Sequence, residues 1–133
     1  MNPFSKKIEK PWGYEILLTS EDSPVTGKIA FTKAGHRWSF QYHDQKEETI
    51  CLYSGEAEFW LEDESGEIIK EKMVPMSGYR VKPMQKHRFC AISDCWTFES
   101  STPEKGNTFR LEDDYTRTTE TEELRNQPNR GWK

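Results

Sequence analysis

Histidine and cysteine are scarce in this chain, and the scarcity narrows its chemistry. Three histidines (His36, His43, His87) and three cysteines (Cys51, Cys90, Cys95) are spread over 133 residues. No two cysteines form a CxxC pair, so they offer no thiolate zinc site. An odd, scattered set reads as free thiols in a reducing cytoplasm. No apolar run is long enough to cross a bilayer, and residues 1–7 lack the apolar core of a signal peptide. Basic residues are not in excess: 19 Lys and Arg stand against 23 Asp and Glu, a net charge of -4. That balance leaves no footprint for nucleic acid. No strong helical period appears before Glu120, and there are no internal repeats or low-complexity segments.

What is present is a succession of short strands. Only 33% of the residues are hydrophobic but 13% are aromatic, so a few large rings supply the burial that one domain of this length needs. Strands are predicted over residues 14–18, 28–33, 38–43, 48–53, 57–62, 68–72, 79–82, 87–92 and 96–100, with a hairpin turn at 63–67. Gly, Pro and Asp separate them, which predicts an all-β sandwich or barrel. Residues 118–133 are polar, with at most a short helix over 120–125, and are expected to be loose or docked on a partner.

Side chains two apart on a strand share a face. Gln41 and His43 therefore project together, with Trp38, Phe40 and Tyr42 opposite. If residues 44–47 turn the chain, Glu48 returns its carboxylate to the same space and shares a face with Ile50 and Leu52. His87 opens a later strand that can lie beside them. One amide oxygen, two imidazoles and one carboxylate suit a divalent first-row metal with positions left for water or substrate. The alternative for each residue is ordinary: a hydrogen-bonded histidine or a solvated turn carboxylate.

The motif Gly35, Gln41-x-His43, Glu48 and Gly55 resembles the first motif of the cupin superfamily. Gly78, Pro83 and His87 resemble the second. Within cupins the string "SFQYHDQKEETI" is similar to the Gln-x-His variant of the type II mannose-6-phosphate isomerase domain. The stretches from Lys10 to Glu15 and from Phe109 to Arg117 echo that domain's opening and closing phrases. The likeness covers residues 10–117. It departs at Lys46, where an arginine is usual, at Asp44-Gln45, where histidines are usual, at Ile50, where an aromatic is usual, and at Met84-Gln85, where Pro-x-Gly is usual.

The resemblance implies a single-domain cupin, a double-stranded β-helix or jelly-roll barrel with an N-terminal strand arm over 1–117, followed by the polar tail at 118–133. It implies one divalent metal ion (Zn, Mn, Fe, Co or Ni) on Gln41, His43, Glu48 and His87, and aldose–ketose isomerisation of a sugar or sugar phosphate. Lys28 and Glu99 become the candidate catalytic groups; otherwise they are an exposed strand lysine and an edge carboxylate. Lys46 and Arg117 become candidate substrate contacts; otherwise Lys46 is a solvated turn residue and Arg117 a partner of Asp113 or Asp114. Arg88 reads as structural and His36 is given no role. Two other functions stay open: a non-catalytic cupin that binds a sugar or sugar nucleotide, and another cupin reaction such as sugar epimerisation or lyase chemistry. Trp60, facing outward, is expected at an interface, and the resemblance implies a homodimer.

Overall fold

Alternation along a strand decides which side chains enter the interior. The computed structural model describes residues 1–131. In chain order the strands are β1 (Lys6–Lys10), β2 (Gly13–Leu17), β3 (Thr26–Thr32), β4 (Phe40–His43), β5 (Glu48–Ser54), β6 (Ala57–Glu62), β7 (Ile68–Lys72), β8 (Gly78–Val81), β9 (His87–Ala91), β10 (Cys95–Ser101) and β11 (Thr108–Glu112). A short helix α1 (Glu122–Arg125) and a 3-10 turn, Pro128–Gly131, follow. The strands form two antiparallel sheets, a six-stranded one in the order β1-β2-β3-β10-β5-β8 and a five-stranded one in the order β11-β4-β9-β6-β7. Stacked face to face, they make a jelly-roll barrel. No described helix is long and apolar enough to cross a membrane.

Register divides the interior into two ends. On β3 the buried residues are Thr26, Lys28, Ala30 and Thr32; on β10 they are Cys95, Thr97 and Glu99. Cys95 faces Thr32 and Glu99 faces Lys28 across the pair. On β5 the inward residues run from Glu48 to Ile50 and Leu52. Apolar and small groups therefore gather at one end and charged groups at the other. The apolar end holds Leu52, Phe59 and Phe89, and Trp12 and Trp38 stand between it and the charged groups. Phe89 packs at 4.8 Å, tilted, on Trp38, which lies 5.4 Å from Trp12. Full burial of each large ring contributes about 1.5–3 kcal/mol. Gly55 closes the β5–β6 turn at φ +101°, where a Cβ would run into the Asp94 carbonyl, so glycine is required there.

Three expectations change. Trp38 does not share the outer face of Phe40 and Tyr42. The strand begins only at Phe40, and Trp38 turns into the core, where its Nε1 donates to Thr32 Oγ1. Trp60 is half-buried under its own neighbours, with Lys70 Nζ 3.8 Å and the Arg88 guanidinium 5.4 Å from its ring. The tail expected to be loose or docked on a partner is, over its described residues 118–131, docked on this chain itself. Glu120 pairs main chain to main chain with Thr108, and the segment lies across the charged end as a strap. Its polarity hid this, because what it covers is charged.

Truncating the central ring, Phe89→Ala, is expected to cost about 3–5 kcal/mol. Urea denaturation checks it, with a lower midpoint and an unchanged slope.

Candidate metal centre and its charged surroundings

His43 ends β4, His87 begins β9 and Glu48 begins β5, so three strand termini meet at the charged end. The five-stranded sheet supplies both imidazoles and the six-stranded sheet the carboxylate. One ligand atom from each of His43, Glu48 and His87 lies within 4.8 Å of the others. His87 is fully buried and Glu48 is 2% exposed. Gln41 pairs in register with His87; its amide Nε2 lies 3.5 Å from His87 Nε2, and its Oε1 accepts from Ser39 Oγ. The four residues chosen from the sequence thus stand in one place.

The cluster fits a cation. His87 Nδ1 lies 3.0 Å from the Gln85 carbonyl, which can only accept, so the ring proton sits on Nδ1. Nε2 then presents a lone pair, and Glu48 Oε1 lies 3.0 Å away with another. Two acceptors at that distance need an ion or a proton between them. His43 Nδ1 is engaged by Thr108 Oγ1 at 2.9 Å, which turns Nε2 toward Glu48 Oε1 at 3.5 Å. His43 Nε2 and both Glu48 oxygens are buried without a well-directed hydrogen bond. Burial lowers the His43 pKa to about 4, outweighing the Glu48 charge that raises it. The ring is therefore neutral and able to ligate. Burial alone would raise the Glu48 carboxyl, but the Lys46 ammonium holds it well below the carboxylate range.

A lattice of buried charge surrounds this cradle. Lys46 Nζ lies 3.0 Å from Glu48 Oε2, 2.8 Å from Glu99 Oε2 and 3.5 Å from Glu104 Oε1. Lys28 Nζ lies 2.7 Å from Glu104, 3.0 Å from Glu15 and 3.5 Å from Glu99. Burial would strip both ammoniums of their protons, yet the facing carboxylates more than offset it and both pKa values rise. Glu99 goes the other way: burial and the Glu48 charge lift it to about 7 against the pull of Lys28 and Lys46. Glu15 drops to about 2, because Lys28 and Lys10 overcome its burial. Lys10, held 3.6 Å from Glu15, falls to about 8 through burial.

The structure places Lys28 and Glu99 inside this lattice. Lys46 is not a solvated turn residue, since its charge is answered by three carboxylates. Arg117 lines the same cavity, but its Nε and Nη2 each lie 3.0 Å from Asp113. Arg88 is fully buried, with Nε donating to the Trp38 carbonyl, and His36 stacks on Tyr115 away from the cradle. Sequence reasoning missed Glu15, Glu104, Arg110, Glu120, Arg125 and Arg130. Alternation on β2 and β11 could have found Glu15 and Arg110; the others sit in segments without a period. The cavity is about 60 Å³, far below the roughly 300–1,000 Å³ common for small-molecule sites.

Metal loading is checked by thermal melting with added Mn²⁺ or Zn²⁺. The midpoint is expected to rise with concentration. The rise is expected to vanish in His87→Ala and Glu48→Gln, and Thr108→Val should weaken metal affinity about 10–100-fold. In metal-free protein two pH effects oppose each other. His43, depressed from 6.5, contributes stability that is lost as pH falls from 6.5 toward 4. Glu99, raised from 4.5, contributes stability that is lost as pH rises from 4.5 toward 7. Across pH 5–6.5, Glu99→Gln should unmask the first slope and His43→Gln the second.

No protein-family model and no curated protein matches the chain. Solved structures do. The capsular polysaccharide assembling protein CapF from Staphylococcus aureus superposes with a TM-score of 0.67 at 13% identity, over 89% of this chain and 31% of its own. CapF with the inhibitor 3-isopropenyl-tropolone gives 0.67 at 15%, over 82% and 34%. An arginine-to-alanine mutant of Bacillus subtilis oxalate decarboxylase gives 0.70 at 15%, over 80% and 30%. The chain thus spans about a third of the length of each. These identities carry the fold, and the narrower resemblance to type II mannose-6-phosphate isomerase rests on the sequence motifs alone. Two stacked antiparallel sheets around a His-Glu-His cradle make this chain a cupin in fold.

Proposed function

We propose that the protein is a metal-dependent enzyme that moves a proton on carbon beside a carbonyl in a small hydroxylated substrate, the chemistry of sugar isomerases. One observation carries the proposal: Glu99, with a pKa lifted to about 7, lines the same cavity as the metal cradle. A carboxylate that titrates near neutrality is matched to taking a proton from carbon and returning it. A divalent cation on His43, Glu48, His87 and Gln41 supplies Lewis acidity toward neighbouring carbonyl and hydroxyl oxygens.

The remaining work falls to this chain's own side chains. Lys46 bridges Glu48 and Glu99, at 3.0 and 2.8 Å, and so fixes the base beside the cradle. Lys28 braces Glu99 from the facing strand. When Glu99 takes a proton, the two ammoniums lose one countercharge but keep Glu104, which both also touch. The proton is therefore held close to where it must be returned. The sequence motifs favour aldose–ketose isomerisation of a sugar phosphate, of the mannose-6-phosphate isomerase kind. The same base and cradle also serve epimerisation or elimination, which the product identity separates. Arg117 serves as a substrate contact only if it exchanges Asp113 for a substrate anion. The engagement of Glu99 by both Lys46 and Lys28 favours a second reading, a cupin that binds a sugar without turning it over.

Metal-loaded protein is incubated in D₂O with mannose 6-phosphate or fructose 6-phosphate. Deuterium is expected on carbon, and is expected to be lost with chelator or in His87→Ala. Glu99→Gln should lower the exchange rate about 10²–10⁴-fold. The rate should climb with pH as the base ionises and then level. Saturable binding with no exchange in the loaded protein would select the second reading.

A further inference from the structure

We propose that Arg110, Arg125 and Arg130 form a carboxylate-binding subsite at the mouth of the cavity, and that Glu120 of this same chain fills it in place of a substrate carboxylate. This replaces the sugar phosphate that the sequence motifs favour with a sugar acid, and rests on the reading above only for what lies at the cavity's other end. Placement comes first. Arg110 is in register with Gln41 on the neighbouring strand, and Thr108 with His43. Paired residues on adjacent strands present their side chains on the same face, so Arg110 stands beside the metal cradle, and all of these groups line one cavity.

The charges at the mouth are unevenly matched. Glu120 is 3% exposed and lies 3.4 Å from Arg125 Nε, 3.4 Å from Arg130 Nη1 and 3.6 Å from Arg110 Nη2. Charge-assisted pairs of this kind normally close to about 2.7–2.9 Å. Arg110 Nε, Arg125 Nε and Glu120 Oε2 are buried without a hydrogen bond, and the Arg110 side chain is only 9% exposed. The other nearby carboxylate, Glu104, is 2.6 Å from Arg130 but also serves Lys28 and Lys46. Three guanidiniums thus surround one carboxylate that satisfies none of them well, and two donors stand idle.

Glu120 is held there by its strap rather than by fit. Its main chain exchanges two hydrogen bonds with Thr108, both 2.9 Å, and Arg110 Nη1 donates to the Thr118 carbonyl. A tethered group competes at an effective concentration of order millimolar, so a free carboxylate must displace it. A carboxylated sugar would take the seat with the one group while its hydroxyl and carbonyl oxygens face the cradle.

The test is calorimetric titration of the full chain with D-glucuronate and, separately, with inorganic phosphate. Glu120→Ala should bind D-glucuronate at least about tenfold more tightly than the parent, and the double variant Glu120→Ala/Arg110→Gln should lose that gain. Phosphate should gain less. Three results overturn the proposal: no gain in Glu120→Ala, a gain that survives Arg110→Gln, or a phosphate gain equal to or above that of D-glucuronate. Should Glu120→Ala melt early, Glu120→Gln keeps the shape, removes the charge and must show the same order. Binding heat requires no turnover, so failure of this seat is told apart from failure of deuterium exchange at the cradle.

Discussion

The Glu48 carboxylate lies inside the barrel, and a buried charge must be answered. Lys46 answers it, yet that answer raises another demand. The Lys46 ammonium is itself buried and recruits Glu99 and Glu104. Glu104 recruits Lys28 and Arg130, and Lys28 recruits Glu15. The chain of requirements stops only at the mouth, where Arg110, Arg125 and Arg130 meet Glu120. The charged end therefore behaves as one electrostatic unit. Removing one member of such a unit leaves a buried partner uncompensated, at a cost of about 3–5 kcal/mol.

That unit needs a rigid frame, and the apolar end supplies it. Trp12, Trp38 and Phe89 pack together beside the charged cavity, which Trp12 and Trp38 also line. The strands carry their polar residues at one terminus and their apolar residues at the other. One set of backbone registers thus fixes both the core and the cradle. Groups that must stay put, His43, Glu48, His87, Lys28 and Glu99, are on strands. Glu104, Arg125 and Arg130 are on connections and on the strap, where displacement disturbs fewer backbone ladders.

Much of this was legible in the sequence because the period of two is unforgiving. Gln41 with His43, Glu48 with Ile50, and Lys28 out of phase with Ile29 each sorted correctly into the interior. The hairpin at 63–67 is held by Asp63, which donates its N–H to the Glu67 carbonyl. Where the period failed, so did the reading. Trp38 stands just before its strand, so alternation did not apply to it. Glu104 and the strap have no period, and their polarity looked like solvation, although their partners are charges brought close by the tertiary fold. Lys46 is the sharpest case: a lysine in a charged turn reads as exposed until the carboxylates it faces are placed.

The cradle draws its imidazoles from one sheet and its carboxylate from the other. An ion seated there would be a rivet through both layers at the charged end of the sandwich. Without it that end is held by salt bridges, whose geometry tolerates sliding. Loading should therefore slow the breathing of the charged end, including amide exchange on β4, β5 and β9, more than that of the end where Thr32 faces Cys95.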